Sequence, residues 1–191
     1  MKKIVLKSSS PRRFELLKAM GYDFEVKVFD VDETLDSSLT PFENVKNLGL
    51  KKALAGKDFF DDYIQIGCDT IVVFEDLIYG KPHSEMDAYN MLKKLSGNMH
   101  FVMSGLAVIY KDKIYNDVEI SKVYFKNLTD EEIWDYIKSK EPFGKAGSYA
   151  IQGIGGKLVD HYEGSLNNII GLPTEMLEKF LKEIEKSEKS S

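Results

Sequence analysis

Two very short connections constrain this chain more than any other feature. Glu75-Asp76 separates the apolar runs 64–74 and 77–79, and Lys111-Asp112-Lys113 stands where 100–110 gives way to 113–125. Runs joined this tightly read as strands in antiparallel hairpins. Further strand-like runs lie at 3–7, 24–29 and 157–162, and helix-like segments separate several of them. Hairpins together with crossover helices predict an α/β fold, a mixed sheet flanked by helices.

The helices announce themselves by their caps. Ser10 precedes Pro11, which suits the first helical position, and Gly21 can end that helix. Phe14, Leu17 and Met20 share one face of it, with Leu16 beside them. Thr40 and Glu43 form a capping box around Pro41, with Gly56 as the stop; Thr129 and Glu132 repeat the box. Helices are also expected from Ser84 to Gly97 and from Thr174 onward. No repeat or flexible linker divides the chain, so one domain is expected over 1–185. The polar end 186–191 is expected to fray.

The formal net charge is −5, which disfavours a nucleic-acid partner; any basic site must be local. No apolar run reaches the roughly 20 residues that span a membrane, and no signal-peptide pattern opens the chain. The one cysteine, Cys68, excludes an intrachain disulfide and fits a reducing cytoplasm.

Five stretches carry possible chemistry. In "SSSPRRFELL" the helix start offers unpaired N–H groups and a partial positive charge, an anion site. Arg12 and Arg13 add forked donors suited to phosphate. The competing reading leaves Ser10 as a cap and the arginines as surface charges. In "IQIGCDTIVVF" Asp69 interrupts an apolar strand. It reads as a general base, as a metal ligand, or as a strand-end carboxylate held by turn amides. Lys81 stands between Gly80 and Pro82 after a hairpin. "EPFGKAGSYAIQGIGGK" holds five glycines, a loop that can cradle a ligand with Lys145, Tyr149 and Gln152 projecting from it, or simply a flexible one. "EGSLNNIIGLP" reads as loop, then helix. Lys52 follows Leu48 by four and lies beside an apolar stripe, where a lysine ordinarily snorkels; Glu33 in "VDET" is ordinarily a solvated charge.

Taken in order, these stretches resemble the Maf family of nucleoside triphosphate pyrophosphatases over almost the whole chain. "SSSPRRFELL", "LGLKKA", "GCDTIVV", "GKP", "MLKKLSGNMHFVMSG", "GKAGSYAIQG" and "GSLNNIIGLP" are similar to its signatures. The resemblance implies the fold of inosine triphosphate pyrophosphatases: an elongated mixed sheet, two lobes and a central cleft. It implies a cytoplasmic hydrolase dependent on a divalent metal (Mg2+ or Mn2+), often a homodimer, acting on a small-molecule nucleotide. By position, Asp69 resembles the general base and Arg12, Thr70 and Gln152 the substrate-selecting set. Lys52, Lys81 and Arg13 resemble phosphate binders, and Glu33 falls near the acidic metal-site residue. Thr70 and Gln152 match the branch that prefers dTTP and UTP over 7-methyl-GTP. Gly144 stands where the family usually has Asp, Ser104 where it has Thr, and Leu166-Asn167 where it has Tyr-Ser. Whether Asp69 serves as base or as metal ligand stays open. The alternative activity is a nucleotide-binding regulator of cell division with little turnover; a kinase would want a Walker-type loop, which is missing.

Overall fold

The computed structural model describes residues 2–190. In chain order come β1 (Lys3–Leu6), α1 (Pro11–Ala19), β2 (Glu25–Val26), α2 (Pro41–Leu54), β3 (Tyr63–Phe74), β4 (Leu77–Tyr79) and α3 (Glu85–Leu95). Then follow β5 (Met99–Tyr110), β6 (Lys113–Phe125), α4 (Asp130–Lys138), β7 (Val159–Glu163), α5 (Leu166–Ile170) and α6 (Thr174–Lys189).

The caps form as the sequence suggests. Ser10 Oγ accepts the Arg13 amide at 3.4 Å. Thr40 with Glu43, and Thr129 with Glu132, close both arms of their capping boxes. The β3–β4 turn is a left-handed pair: Glu75 and Asp76 have φ of +51° and +61°. That geometry matches the twist of an antiparallel hairpin, and Phe74 pairs with Leu77 across it.

Hydrogen bonding orders the strands β2-β1-β3-β5-β6-β7, with β4 on β3. β1 runs parallel to both β2 and β3, while β3–β4 and β6–β7 are antiparallel. The sheet is therefore mixed, as expected.

The described residues pack as two compact units. The first comprises residues 2–69, 104–119 and 171–190. Its core joins Ile4, Leu6, Ile64, Ile66 and Leu106 of the strands to Leu17 of α1 and Leu177 and Ile184 of α6. Here α2 lies backbone against backbone on the strands. A Cβ on Gly67 would collide with the Ala53 amide, and one on Gly105 with the Val45 carbonyl. Only glycine permits that approach, and it places the last turn of α2 directly over β3. The second unit comprises Thr70–Met103 and Ile120–Ile170. Leu92 and Leu95 of α3 and Ile133 and Ile137 of α4 cover Val72, Val102, Val123 and Phe125 there.

Helix α6 continues to Lys189, through residues whose polarity pointed to a frayed end. Lys186 pairs with Glu183 at 3.2 Å, and Ser187 Oγ donates to the Ile184 carbonyl at 2.8 Å, so the last turns carry their own side-chain bonds. Ser191 lies outside the described residues.

Candidate active site

The centre of the site is where β3 comes to the surface. Residues 64–68 and 71–73 of the strand are buried, while Asp69 and Thr70 between them are only partly so. Asp69 is thus a carboxylate held rigidly at the edge of a core. Its partner comes from the last turn of α2: Lys52 Nζ lies 2.7 Å from Asp69 Oδ1 and 2.6 Å from Glu33 Oε1. The Lys52 and Asp69 side chains are each 16% exposed, whereas Glu33 is 58% exposed. The Asp69 contact is therefore sheltered, and the Glu33 arm is a solvent-screened pair worth about 1 kcal/mol or less. Lys51 Nζ donates to the Asp32 carbonyl at 2.9 Å, tying the loop that carries Glu33 to the same turn of helix. Burial works against the Lys52 ammonium, but Asp69 and Glu33 outweigh it and hold the group above its ordinary value. Lys52 does not snorkel; it bridges two carboxylates.

Glu33 and Asp69 converge on one point, held in this structure by the Lys52 ammonium. Two carboxylates are the kind of hard oxygen donors that could hold a divalent ion such as Mg2+. Among the described residues no group of three or more His, Cys, Asp or Glu gathers to form a full protein cage.

The other basic residues of this unit divide in role. Arg13 is buried; its Nε donates to the Gly171 carbonyl at 2.8 Å and its Nη1 to Ser8 Oγ at 3.2 Å. It fixes the serine loop and the turn at Gly171, whose φ is +140°. Arg12 is half-buried, and burial with Arg13 beside it lowers its guanidinium below the ordinary value. Ser10 caps α1 and is tied to the same serine loop, its amide donating to Ser8 Oγ at 3.2 Å.

Thr70, Lys81, Lys145 and Gln152 belong to the second unit. Lys81 and Gln152 are exposed, Thr70 and Lys145 half-buried. Lys145 Nζ donates to the Glu141 carbonyl at 3.4 Å. Tyr149 does not project from the glycine-rich loop. It is buried against Phe125 and His100, and its hydroxyl meets His100 Nε2 at 2.6 Å. A ring of that size gains more from the core than a loop surface offers.

The loop is not a slack one. The Glu141 carboxylate accepts from the Ile154 amide at 2.9 Å, the Gly155 amide at 3.0 Å and the Tyr136 hydroxyl at 2.8 Å. Burial alone would raise this carboxyl; the Gly155 and Ile154 amides and Tyr136 together bring it below its usual range. Glu141 escaped the sequence reading. The available signal was an acidic residue opening a run of glycines, whose exposed amides need an acceptor. Gly144, the departure from the family's Asp, has φ of +79°, a conformation that glycine adopts without strain.

Comparison with known proteins places the chain among close relatives. Residues 3–184 match the family described as Maf-like protein. A dTTP/UTP pyrophosphatase of Bacillus thuringiensis subsp. konkukian (strain 97-27) is 46% identical over 183 residues, covering 96% of either chain. One of Bacillus cereus (strain ATCC 10987 / NRS 248) is 47% identical, covering 96% of this chain and 90% of that one. Among solved structures, the Staphylococcus aureus Ham1 protein aligns with 68% of this chain and 73% of its own, at 20% identity and a TM-score of 0.44.

Proposed function

The chain belongs to the Maf family, and from that premise we propose that it hydrolyses dTTP and UTP, and modified uridine triphosphates, to the nucleoside monophosphate and pyrophosphate. The observation that carries the reading is the sheltered contact between Lys52 and Asp69 on a strand that is otherwise core. A carboxylate placed so is of little use for binding a polyanion and of direct use for activating water.

In this reading Asp69 takes the proton of a water that attacks the α-phosphorus. The bond from that phosphorus to the bridging oxygen breaks, and pyrophosphate leaves with the electron pair. Lys52, between Asp69 and Glu33, holds the carboxylate in place and offers its charge to the phosphates once substrate arrives. Arg12 and the α1 start bind phosphate oxygens. Arg13 keeps Ser8 and Gly171 in position alongside the phosphate contact its family position suggests. As the alternative to its service as base, Asp69 would join Glu33 in holding a divalent ion, Mg2+ or Mn2+, which would supply charge neutralisation at the phosphates.

The remaining assignments rest on family position: Lys81 for phosphate, Lys145 for substrate, Thr70 and Gln152 for the base. A glutamine amide offers one acceptor and two donors, which complement the carbonyl and N3–H edge of thymine or uracil. We assign the protein also to a reducing cytoplasm, consistent with the buried Cys68, and, on the family resemblance alone, to a homodimer. Among the described residues no helix is long and apolar enough to cross a membrane.

Product analysis tests the reading. Purified protein given dTTP or UTP in H2(18)O releases pyrophosphate, and the label enters the monophosphate. Label in pyrophosphate, release of single phosphate, or no turnover would each overturn it.

A further inference from the structure

Lys7 directly follows β1 and directly precedes the serine loop, and it is only 4% exposed. A buried lysine is uncommon unless its ammonium is matched. Here all three donors are used: Nζ donates to the Ala53 carbonyl at 2.6 Å, to the Ala55 carbonyl, and to Gln65 Oε1 at 2.6 Å. The rings of Phe29 and Phe60 close over it at 5.5 Å and 5.8 Å. Every oxygen in this cage is neutral, so Lys7 is no ion pair. Two of the oxygens belong to the C-terminal end of α2, where carbonyls lack intrahelical partners and the helix dipole is negative. An ammonium is the complement that such an end calls for.

The cage continues outward. Gln65 is fully buried on β3, and its Nε2 donates to the Lys57 carbonyl at 3.2 Å and the Phe60 carbonyl at 3.0 Å. Phe29 also packs where a Cβ on Gly56 would stand. The segment that follows α2 is thereby stitched to β3 through Gln65 and to the residue after β1 through Lys7. Ala53, the first carbonyl Lys7 holds, is the residue next to Lys52. Burial, with Lys57 nearby, pulls the Lys7 ammonium down to about 8, so it is still largely charged at neutral pH.

We propose that Lys7 is a positioning residue for the reaction: a tethered cation that pins the last turn of α2 and so sets Lys52 against Asp69. The glycine contact at Gly67 fixes how closely α2 approaches β3; Lys7 fixes how its end is seated. The inference rests on the pyrophosphatase reading for its kinetic arm only.

The test is a double-mutant cycle with a structural readout beside it. Lys7→Met keeps the length and removes the donors. It should lower dTTP hydrolysis by about tenfold in kcat/KM, chiefly through kcat, as expected for a displaced reacting group. In a Lys52→Met background the same change should alter kcat/KM by less than about twofold, because coupled positions are not additive. Equal losses in both backgrounds would overturn the proposal. Hydrogen exchange in the free protein needs no activity. Amides of Ala53–Gly56, among them the Ala55 amide bonded to the Lys51 carbonyl at 3.1 Å, should exchange faster in Lys7→Met. Unchanged exchange there would refute the pin. Should the wild-type protein hydrolyse no nucleotide, the pyrophosphatase reading fails while exchange still decides the pin. If Lys7→Met does not fold, Gln65→Leu replaces it in both arms, with an expected kinetic loss of about two- to fivefold and the same cycle.

Discussion

Lys52 Nζ and Asp69 Oδ1 lie 2.7 Å apart, joining the last turn of α2 to the one acidic position in β3. Neither side chain is more than 16% exposed, so a charge change in this pair is little screened by solvent.

Asp69→Asn removes the base and keeps the shape. It should lower kcat by about 10²–10⁴-fold while leaving the fold intact, since the amide oxygen still accepts from Lys52. Steady-state kinetics with circular dichroism checks both halves. A variant with near wild-type kcat would remove Asp69 from the mechanism.

Lys52→Met leaves Asp69 without its ammonium at the rim of the core. Loss of a charge-assisted bond should cost about 1–3 kcal/mol of stability, and kcat/KM should fall with it. Denaturant midpoints at matched m-values measure the first. An unchanged kcat/KM would make the contact purely structural.

His100 provides a pH dependence separate from the chemistry. Burial lowers its imidazolium to about 3 from 6.5, and the ring has little means of accommodating a second proton: Nε2 meets Tyr149, and Nδ1 has no hydrogen-bond partner among the described residues. The folded state binds this proton less readily than the unfolded chain. Its stabilising share is therefore complete above pH 6.5 and is lost as pH falls from 6.5 toward about 3. His100→Phe should flatten the acid limb of a stability–pH curve in that window. An identical limb in the variant would exclude His100 as its source.

Much of this was legible in the sequence because it is local. A Thr-Pro-x-Glu start or a Glu-Asp turn carries its own hydrogen bonds or backbone geometry within four residues, and these elements form where expected. Asp69 stood out because an acid inside an apolar run is anomalous wherever it occurs. What escaped notice depends on distant partners. Lys7 looks like an ordinary strand end until Ala53 and Gln65, 46 and 58 residues away, are brought to it. Tyr149 reads as a loop side chain until His100 supplies its partner. Glu141 orders a loop whose amides lie 13 and 14 residues further on.

Gln152→Ala should erode the preference for thymine and uracil while sparing residual pyrophosphate release. Polar complementarity can reject a mismatched ligand by about 10⁴-fold, where shape alone gives about 10–200-fold. Comparing kcat/KM for dTTP and GTP in variant and wild type gives the answer. A selectivity ratio that does not move would free Gln152 of any part in base choice.

The most direct measurement is kcat/KM for dTTP, UTP, CTP, GTP and 7-methyl-GTP on one preparation, with pyrophosphate as the readout. The account predicts dTTP and UTP at the head of the series, each yielding pyrophosphate and its monophosphate. GTP or 7-methyl-GTP at the head, or pyrophosphate from none of the five, would contradict it.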